Sequence, residues 1–199
     1  MSAAPARLVL ASASPRRREL LSRAGFAFEV VAPEVEEIQT DTLTLREATC
    51  WNALRKGLTI ARQRPNDVVL AADTLVALEH RVIGKPADRE EAFCFLRLLS
   101  GQTHYVSSGV FLAYLAAGRS ESFSVISRVV FKKLSDEMIE DYLRRIDPLD
   151  KAGAYAAQGF GRTIITRIAG SRTNVIGLPV EKTGVALRRF GIRPRRPNA

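Results

Sequence analysis

A chain of 199 residues, 46% of them apolar, can bury a sizeable core, and it holds no apolar run near the ~20 residues of a membrane span. Its net charge of +9 leaves nucleic acid, a membrane surface or a small polyanion as partners. No continuous basic stripe interleaved with aromatics runs along it, so nucleic acid is kept only as an alternative behind a small polyanion. No membrane partner is expected.

The N-terminal Met-Ser-Ala-Ala-Pro-Ala-Arg lacks a secretory hydrophobic region, and a cytoplasmic protein is expected. Leu8 to Ala11 reads as a buried strand. It stops at Ser12-Ala13-Ser14-Pro15, after which Leu20, Leu21 and Ala24 mark one helix face and Gly25 supplies the stop. Ser14 suits the N-cap and Pro15 the first helical position. Arg16, Arg17 and Arg18 oppose the helix dipole at this end, which gains the helix nothing. Backbone N–H groups, two hydroxyls and guanidinium forks together read as a polyphosphate cradle.

Phe26 to Val31 alternates like a short strand and runs into the acidic loop Pro33 to Glu37, a solvated turn or a carboxylate facing the cradle. Thr44 and Glu47 form a capping box for a helix to about Ala61, with Ala48, Trp51, Leu54 and Leu58 expected inward. Lys56 on this helix reads as exposed. Val68 to Ala72 is an apolar strand ending in Asp73-Thr74, which puts a carboxylate at the carboxyl end of a sheet, where open α/β folds bind ligands. Leu75 to Leu78 continues extended, and Gly84 lets Lys85 lie close to a ligand.

Asp88 and Glu91 start a helix ended by Gly101, with Ala92, Phe93, Leu96 and Leu99 inward. Cys50 and Cys94 lack metal-ligand spacing and are expected as reduced core thiols in their helices. Tyr105 to Leu115 and Phe123 to Leu134 form an antiparallel hairpin about Ala117-Gly118-Arg119-Ser120, and His104 reads as a structural hydrogen-bonding residue. Ser135 caps a helix with Met138, Ile139, Tyr142, Leu143 and Ile146 on its apolar face, closed by Pro148. Asp150 to Gly159 is a small-residue loop from which Lys151 and Gln158 can reach a ligand. Thr163 to Ile168 reads as a strand, Gly170 to Gly177 as a hydroxyl-rich turn, and Leu178 to Phe190 as a closing helix. No repeat or linker divides the chain, so one domain over 1–199 is expected, its core about 7–190 and its basic tail, 191–199, frayed.

Cations for phosphate and carboxylates, with no Walker A pattern, Ser-His-Asp triad or placed Cys nucleophile, point to metal-assisted attack of water on a phosphoanhydride. At this point the motifs identify a resemblance. Ser12 to Arg17, Ala72-Asp73-Thr74, Gly84-Lys85-Pro86, Ser100-Gly101 with His104, Asp150 to Tyr155 with Gln158-Gly159, and Ser171 to Pro179 resemble, in order, the Maf family of nucleoside triphosphate pyrophosphatases. The resemblance implies an α/β fold like that of inosine triphosphate pyrophosphatases. Its elongated mixed β-sheet would be flanked by helices, in two lobes with a central cleft. It implies cleavage between the α- and β-phosphates with a divalent metal, Mg or Mn, and a possible homodimer. Carried over by position, Asp73 and Glu37 are the carboxylates for metal or proton, with the general base open between them, and Lys85 joins them in the catalytic group. Ser12, Ser14, Arg16, Arg17, Lys56, Thr74, Lys151 and Gln158 would bind substrate, with Arg16, Thr74 and Gln158 selecting the base.

The loop with Gln158 resembles the dTTP/UTP branch, because an amide offers the donor and acceptor that a pyrimidine imide needs. The alternatives are a 7-methyl-GTP or non-canonical purine triphosphate pyrophosphatase or, from another class, a nucleic-acid or division-partner regulator. Departures from the family pattern are Asn52, Gly57 and Ser108, and Gly57 is expected to loosen its helix by up to ~1 kcal/mol.

Overall fold

The computed structural model describes residues 6–38, 40 and 42–195. Strand β1 (Leu8–Ala11) passes through the Ser12 turn into helix α1 (Pro15–Arg23). Gly25, at φ +82°, ends the helix and turns Phe26 into the core. The following strand is therefore only β2 (Glu29–Val30), shorter than the alternation from Phe26 predicts. Helix α2 (Leu45–Gln63) opens on the expected capping box, with Thr44 accepting from the Glu47 amide and Glu47 accepting from that of Thr44. The long strand β3 (Val68–Leu78), β4 (Arg81–Ile83) and α3 (Arg89–Leu99) follow. Strands β5 (Thr103–Tyr114) and β6 (Arg119–Phe131) form the hairpin, with Gly118 left-handed at the turn. Then come α4 (Asp136–Arg145), β7 (Ile165–Ala169), α5 (Arg172–Ile176) and α6 (Val180–Arg189). Gly159–Ile164, its last two residues expected as strand, is a 3-10 turn instead.

Among the described residues these strands make one mixed sheet in the order β2-β1-β3-β5-β6-β7, with β4 also on β3. β2, β1 and β3 are parallel, and the remaining pairs are antiparallel. Thus the expected mixed α/β sheet flanked by helices is present. One face of β3, β5 and β6 carries two separate apolar clusters. Val68, Leu70, Val110 and Leu112 pack with α1 and α6 residues Leu21 and Leu187, while Val76, Val106 and Val129 pack with α3 and α4 residues Leu96 and Ile139. Between the clusters that face turns polar, at Thr74 and the cross-strand Ser108. Helix α5 is pinned there: Ser108 donates to the Asn174 carbonyl (3.1 Å) and Ser127 to that of Ser171 (2.8 Å). On the opposite face α2 covers Val69, Ala71 and Phe111.

Helix α2 lies close to the sheet because two glycines make room. A Cβ on Gly109, directly opposite Asp73 across β3 and β5, would stand 2.3 Å from the Thr49 carbonyl group. One on Gly57 would stand 2.4 Å from Phe111 Cδ1. That constraint corrects the helix register: α2 buries a stripe of small and polar residues, and Trp51 faces outward at 49% exposure. Lys56, expected exposed, is buried in that stripe, whereas Cys94, expected in the core, is exposed. The tail is docked rather than frayed as far as it is described. Ile192 enters the first apolar cluster and the Arg195 amide donates to the Gly25 carbonyl at 2.8 Å. Arg196 and Pro197 lie outside the described residues.

Two predictions follow from the packing. Gly57→Ala gains helix propensity but overpacks against the buried Phe111 ring, so urea unfolding should show a net loss of ~1–3 kcal/mol. His104 is fully buried, its Nε2 2.9 Å from the Tyr155 hydroxyl, and burial pushes its pKa from 6.5 down to about 4. The unfolded chain takes up a proton below pH 6.5 that the fold refuses, so this stability is complete above pH 6.5 and drains away toward pH 4. The His104 contribution to that loss is about 3 kcal/mol, and urea unfolding of His104→Gln at neutral and mildly acid pH should lack it.

Candidate active site

The site arises where the sheet is incomplete. On one edge β3 pairs with β1 as far as Ala71 and with β4 from Val76 onward. Among the described residues no strand covers Ala72 to Leu75 on that edge. The sequence places Asp73 at the end of a strand, but the β5 ladder carries β3 past it from Val69 to Ala77. What ends is β1, and the resulting notch opens Asp73 and Thr74 to a cleft. Its walls include the Ser12–Arg17 turn, the acidic loop, Lys85, the 150–157 loop and the end of α5.

At its floor an ammonium is held between two carboxylates. Lys56 Nζ lies 2.6 Å from Asp73 Oδ1 and 2.7 Å from Glu37 Oε1, and Lys85 Nζ stands 3.6 Å from Glu37 Oε2. Lys56 and Asp73 are almost fully buried, so neither charge would be tolerable without the other. Burial alone would raise the Glu37 pKa. The charge and hydrogen bond of Lys56, with Lys85 and Arg17 behind it, overcome that and hold the carboxyl below its usual value.

The arginines divide. Arg17 runs under the cleft as a strut, donating to the Gly177 carbonyl (2.9 Å), the Ser12 hydroxyl (3.3 Å) and the Thr74 hydroxyl (3.2 Å). Its burial lowers its pKa, against the opposing pull of Asp73 and Glu37, and a guanidinium keeps its charge regardless. Arg16 crosses the mouth and donates to the carboxylate and, at 3.0 Å, to the carbonyl of Asp150. Lys151 donates to the same carboxylate and to the Asp147 carbonyl. Burial pushes the Asp150 carboxyl up, and Lys151 and Arg16 more than reverse it. Arg18, the third arginine of the expected cradle, is exposed and outside the cleft. Ser14 holds the N-cap position, but its hydroxyl makes no capping bond and lines the cleft.

Of the residues expected at the site, Ser12, Ser14, Arg16, Arg17, Glu37, Lys56, Asp73, Thr74, Lys85 and Lys151 therefore converge. Gln158 does not line the cleft; it follows Ala157, which does, and is half-buried. Three participants escaped the sequence reading. Asp150 is the counter-ion of Arg16 and Lys151, Tyr155 lines the wall with its hydroxyl on His104, and Asn52 donates to Asp73 at 3.0 Å. Asn52 had a readable signal, a polar residue one turn before Lys56 on the same helix face.

Five cationic side chains, Arg16, Arg17, Lys56, Lys85 and Lys151, thus meet three carboxylates in one cleft, a surplus of positive charge suited to a polyanion. None of the described helices is long and apolar enough to cross a membrane.

Known proteins align with this chain along almost its whole length. It is 42% identical over 187 residues to a dTTP/UTP pyrophosphatase of Bacillus pumilus, covering 94% of this chain and 98% of that one. It is 38% identical to a dTTP/UTP pyrophosphatase of Clostridioides difficile, covering 92% and 94%. A solved nucleoside-triphosphatase / dITP/XTP pyrophosphatase of Mycobacterium abscessus is a remote likeness, with a TM-score of 0.45 and 17% identity over 92% of this chain and 94% of that one. The family model for Maf-like proteins matches residues 7–190, which include every element that lines the cleft, and the chain belongs to that family.

Proposed function

We propose that this protein hydrolyses dTTP and UTP between the α- and β-phosphates, releasing the nucleoside monophosphate and pyrophosphate. The observation that carries the chemistry is the meeting, in one cleft, of a cationic rim and two carboxylates able to act on water. The choice of substrate is supported by the relatives named dTTP/UTP pyrophosphatase at 38% and 42% identity.

In this reading the triphosphate lies along the Ser12–Arg17 turn, against the hydroxyls of Ser12 and Ser14. Arg16 and Lys151 are shared with the Asp150 carboxylate, and turning either toward phosphate exchanges one anionic partner for another. Lys85, half-exposed at the rim, closes on the phosphates from the other wall. Asp73 and Glu37 orient the attacking water, and one of them takes its proton. Arg17 and Thr74, bonded to each other and to the Gly177 carbonyl, keep the floor rigid. The pyrimidine sits toward the 150–157 loop, with Arg16 and Thr74 bounding the same end, and Gln158, the neighbour of the lining Ala157, would have to turn inward to offer its amide donor and acceptor to the imide edge.

Two carboxylates that already converge on one cation, Lys56 Nζ, fit a hard divalent ion such as Mg or Mn. Among the described residues no three His, Cys, Asp or Glu side chains form a metal cage, so phosphate oxygens and water would complete the shell. When bound, the ion would neutralise charge developing on the phosphate oxygens.

The deciding measurement is pyrophosphate release with Mg or Mn from dTTP, UTP, CTP, 7-methyl-GTP and ITP, by the wild type and Asp73→Asn. The expected result is turnover of dTTP and UTP, with kcat reduced about 10²–10⁴-fold in the variant. A preference for 7-methyl-GTP would displace the pyrimidine and keep the reaction. No turnover of any triphosphate would overturn the proposal.

A further inference from the structure

The acidic loop that carries Glu37 joins β2 to α2 and has no regular structure of its own over 31–38. Something else must hold its carboxylate at the cleft. Its anchors lie on successive turns of α2. Arg55 donates to the Glu36 carbonyl (3.0 Å), Lys56 to the Glu37 carboxylate, and Asn52 grips Ile38. The last of these is the unusual one. Asn52 Oδ1 accepts from the Ile38 amide at 2.9 Å while its Nδ2 donates to the Ile38 carbonyl at 2.9 Å. One side chain thus pairs both backbone groups of a single residue, as a neighbouring strand would. The same Nδ2 donates its second proton to Asp73 Oδ2 at 3.0 Å.

Asn52 is 1% exposed, so it lies at the floor beneath the cleft rather than in contact with its contents. A leucine of similar size would fill this place on the stripe. It would leave the Ile38 N–H, the Ile38 carbonyl and Asp73 Oδ2 each without this partner, and buried polar groups cost ~1–3 kcal/mol apiece when unpaired. An amide whose three bonds reach two different chain segments fixes their separation as well as their positions. We infer that Asn52 is a positioning residue that sets the spacing between the Glu37 and Asp73 carboxylates, pinning the first through the Ile38 backbone and the second through its own carboxylate oxygen. Its effect on turnover rests on the pyrophosphatase reading above; the clamp itself does not.

Two variants separate the arms of the clamp. Asn52→Leu removes all three bonds, whereas Asn52→Asp keeps the shape and the acceptor for the Ile38 N–H but loses both donations. Each is measured for far-UV circular dichroism, for kcat and KM on dTTP, and for hydrogen exchange at the Ile38 amide. With dichroism unchanged, kcat should fall about 10- to 100-fold in both variants while KM moves by less than about threefold, because Asn52 orients the reacting groups without touching the nucleotide. Exchange at Ile38 should quicken about tenfold or more in Asn52→Leu and stay near the wild-type rate in Asn52→Asp. Wild-type kcat in Asn52→Asp, a change carried by KM alone, or unaltered Ile38 exchange in Asn52→Leu would each overturn the inference. If Asn52→Leu fails to fold, the kcat and Ile38 exchange of Asn52→Asp decide. If the wild type turns over no triphosphate, the pyrophosphatase reading fails while the exchange measurement still decides the clamp.

Discussion

An ammonium buried between two carboxylates is tenable only at very short range, and the protein is built to keep that range short. The Lys56 bonds to Asp73 and Glu37 need α2 to lie almost against the sheet. Ordinary side chains would hold a helix farther off. Here Gly109 removes the side chain directly opposite Asp73, and Gly57 removes the one that would strike Phe111. The helix in turn presents alanine, threonine, asparagine and lysine to the strands and directs Trp51 to solvent. The cost of glycine and of a small-residue interface is the cost of getting a charge network into the floor of a sheet.

The same floor explains why the molecule has two apolar clusters on one face rather than one. Long strands can carry a core at each end, and their middles are free to be polar where the polar groups find partners. The hydroxyls of Thr74, Ser108 and Ser127 and the Asn174 Nδ2 find one another or the backbone of α5 and its cap, with the buried Asn174 Oδ1 left unpaired, so that short helix bridges the gap between the clusters. The notch left where β1 stops falls at the same level, and charge and opening coincide there. Arg17 links this level to both ends of the chain through Ser12 and Gly177.

What could be read from the sequence is local. The Ser12–Arg17 turn, the Asp73-Thr74 pair and Gly84-Lys85 announce themselves because strand, turn and cap signals lie within a few residues of the chemistry. Lys56 and Glu37 stood out only through likeness to a family, since a lysine on a helix and an acidic turn are ordinary surface features. Trp51 misled because periodicity assumes that the largest apolar side chains face inward. That rule yields where close approach to a sheet demands small ones. The pairing of Asn52 with Ile38 and that of Asp150 with Arg16 span 14 and 134 residues, and no local pattern reports such partners even where, as for Asn52, the helix face hints at a role. Arg18 shows the converse, a residue with the right chemistry that the turn of the helix sends outside.

The reach of Arg17 to Gly177 has a consequence for how the protein comes into being. Synthesis delivers the Ser12 turn first and the segment that closes over it late, after both apolar clusters have received most of their strands. A chain still emerging from the ribosome therefore owns the cationic turn without the floor or the far wall. Any ligand of the cleft recognises only the finished molecule and adds its binding energy to that state alone. Ligand occupancy thus acts as a seal on completed folding, never as a template for its early steps.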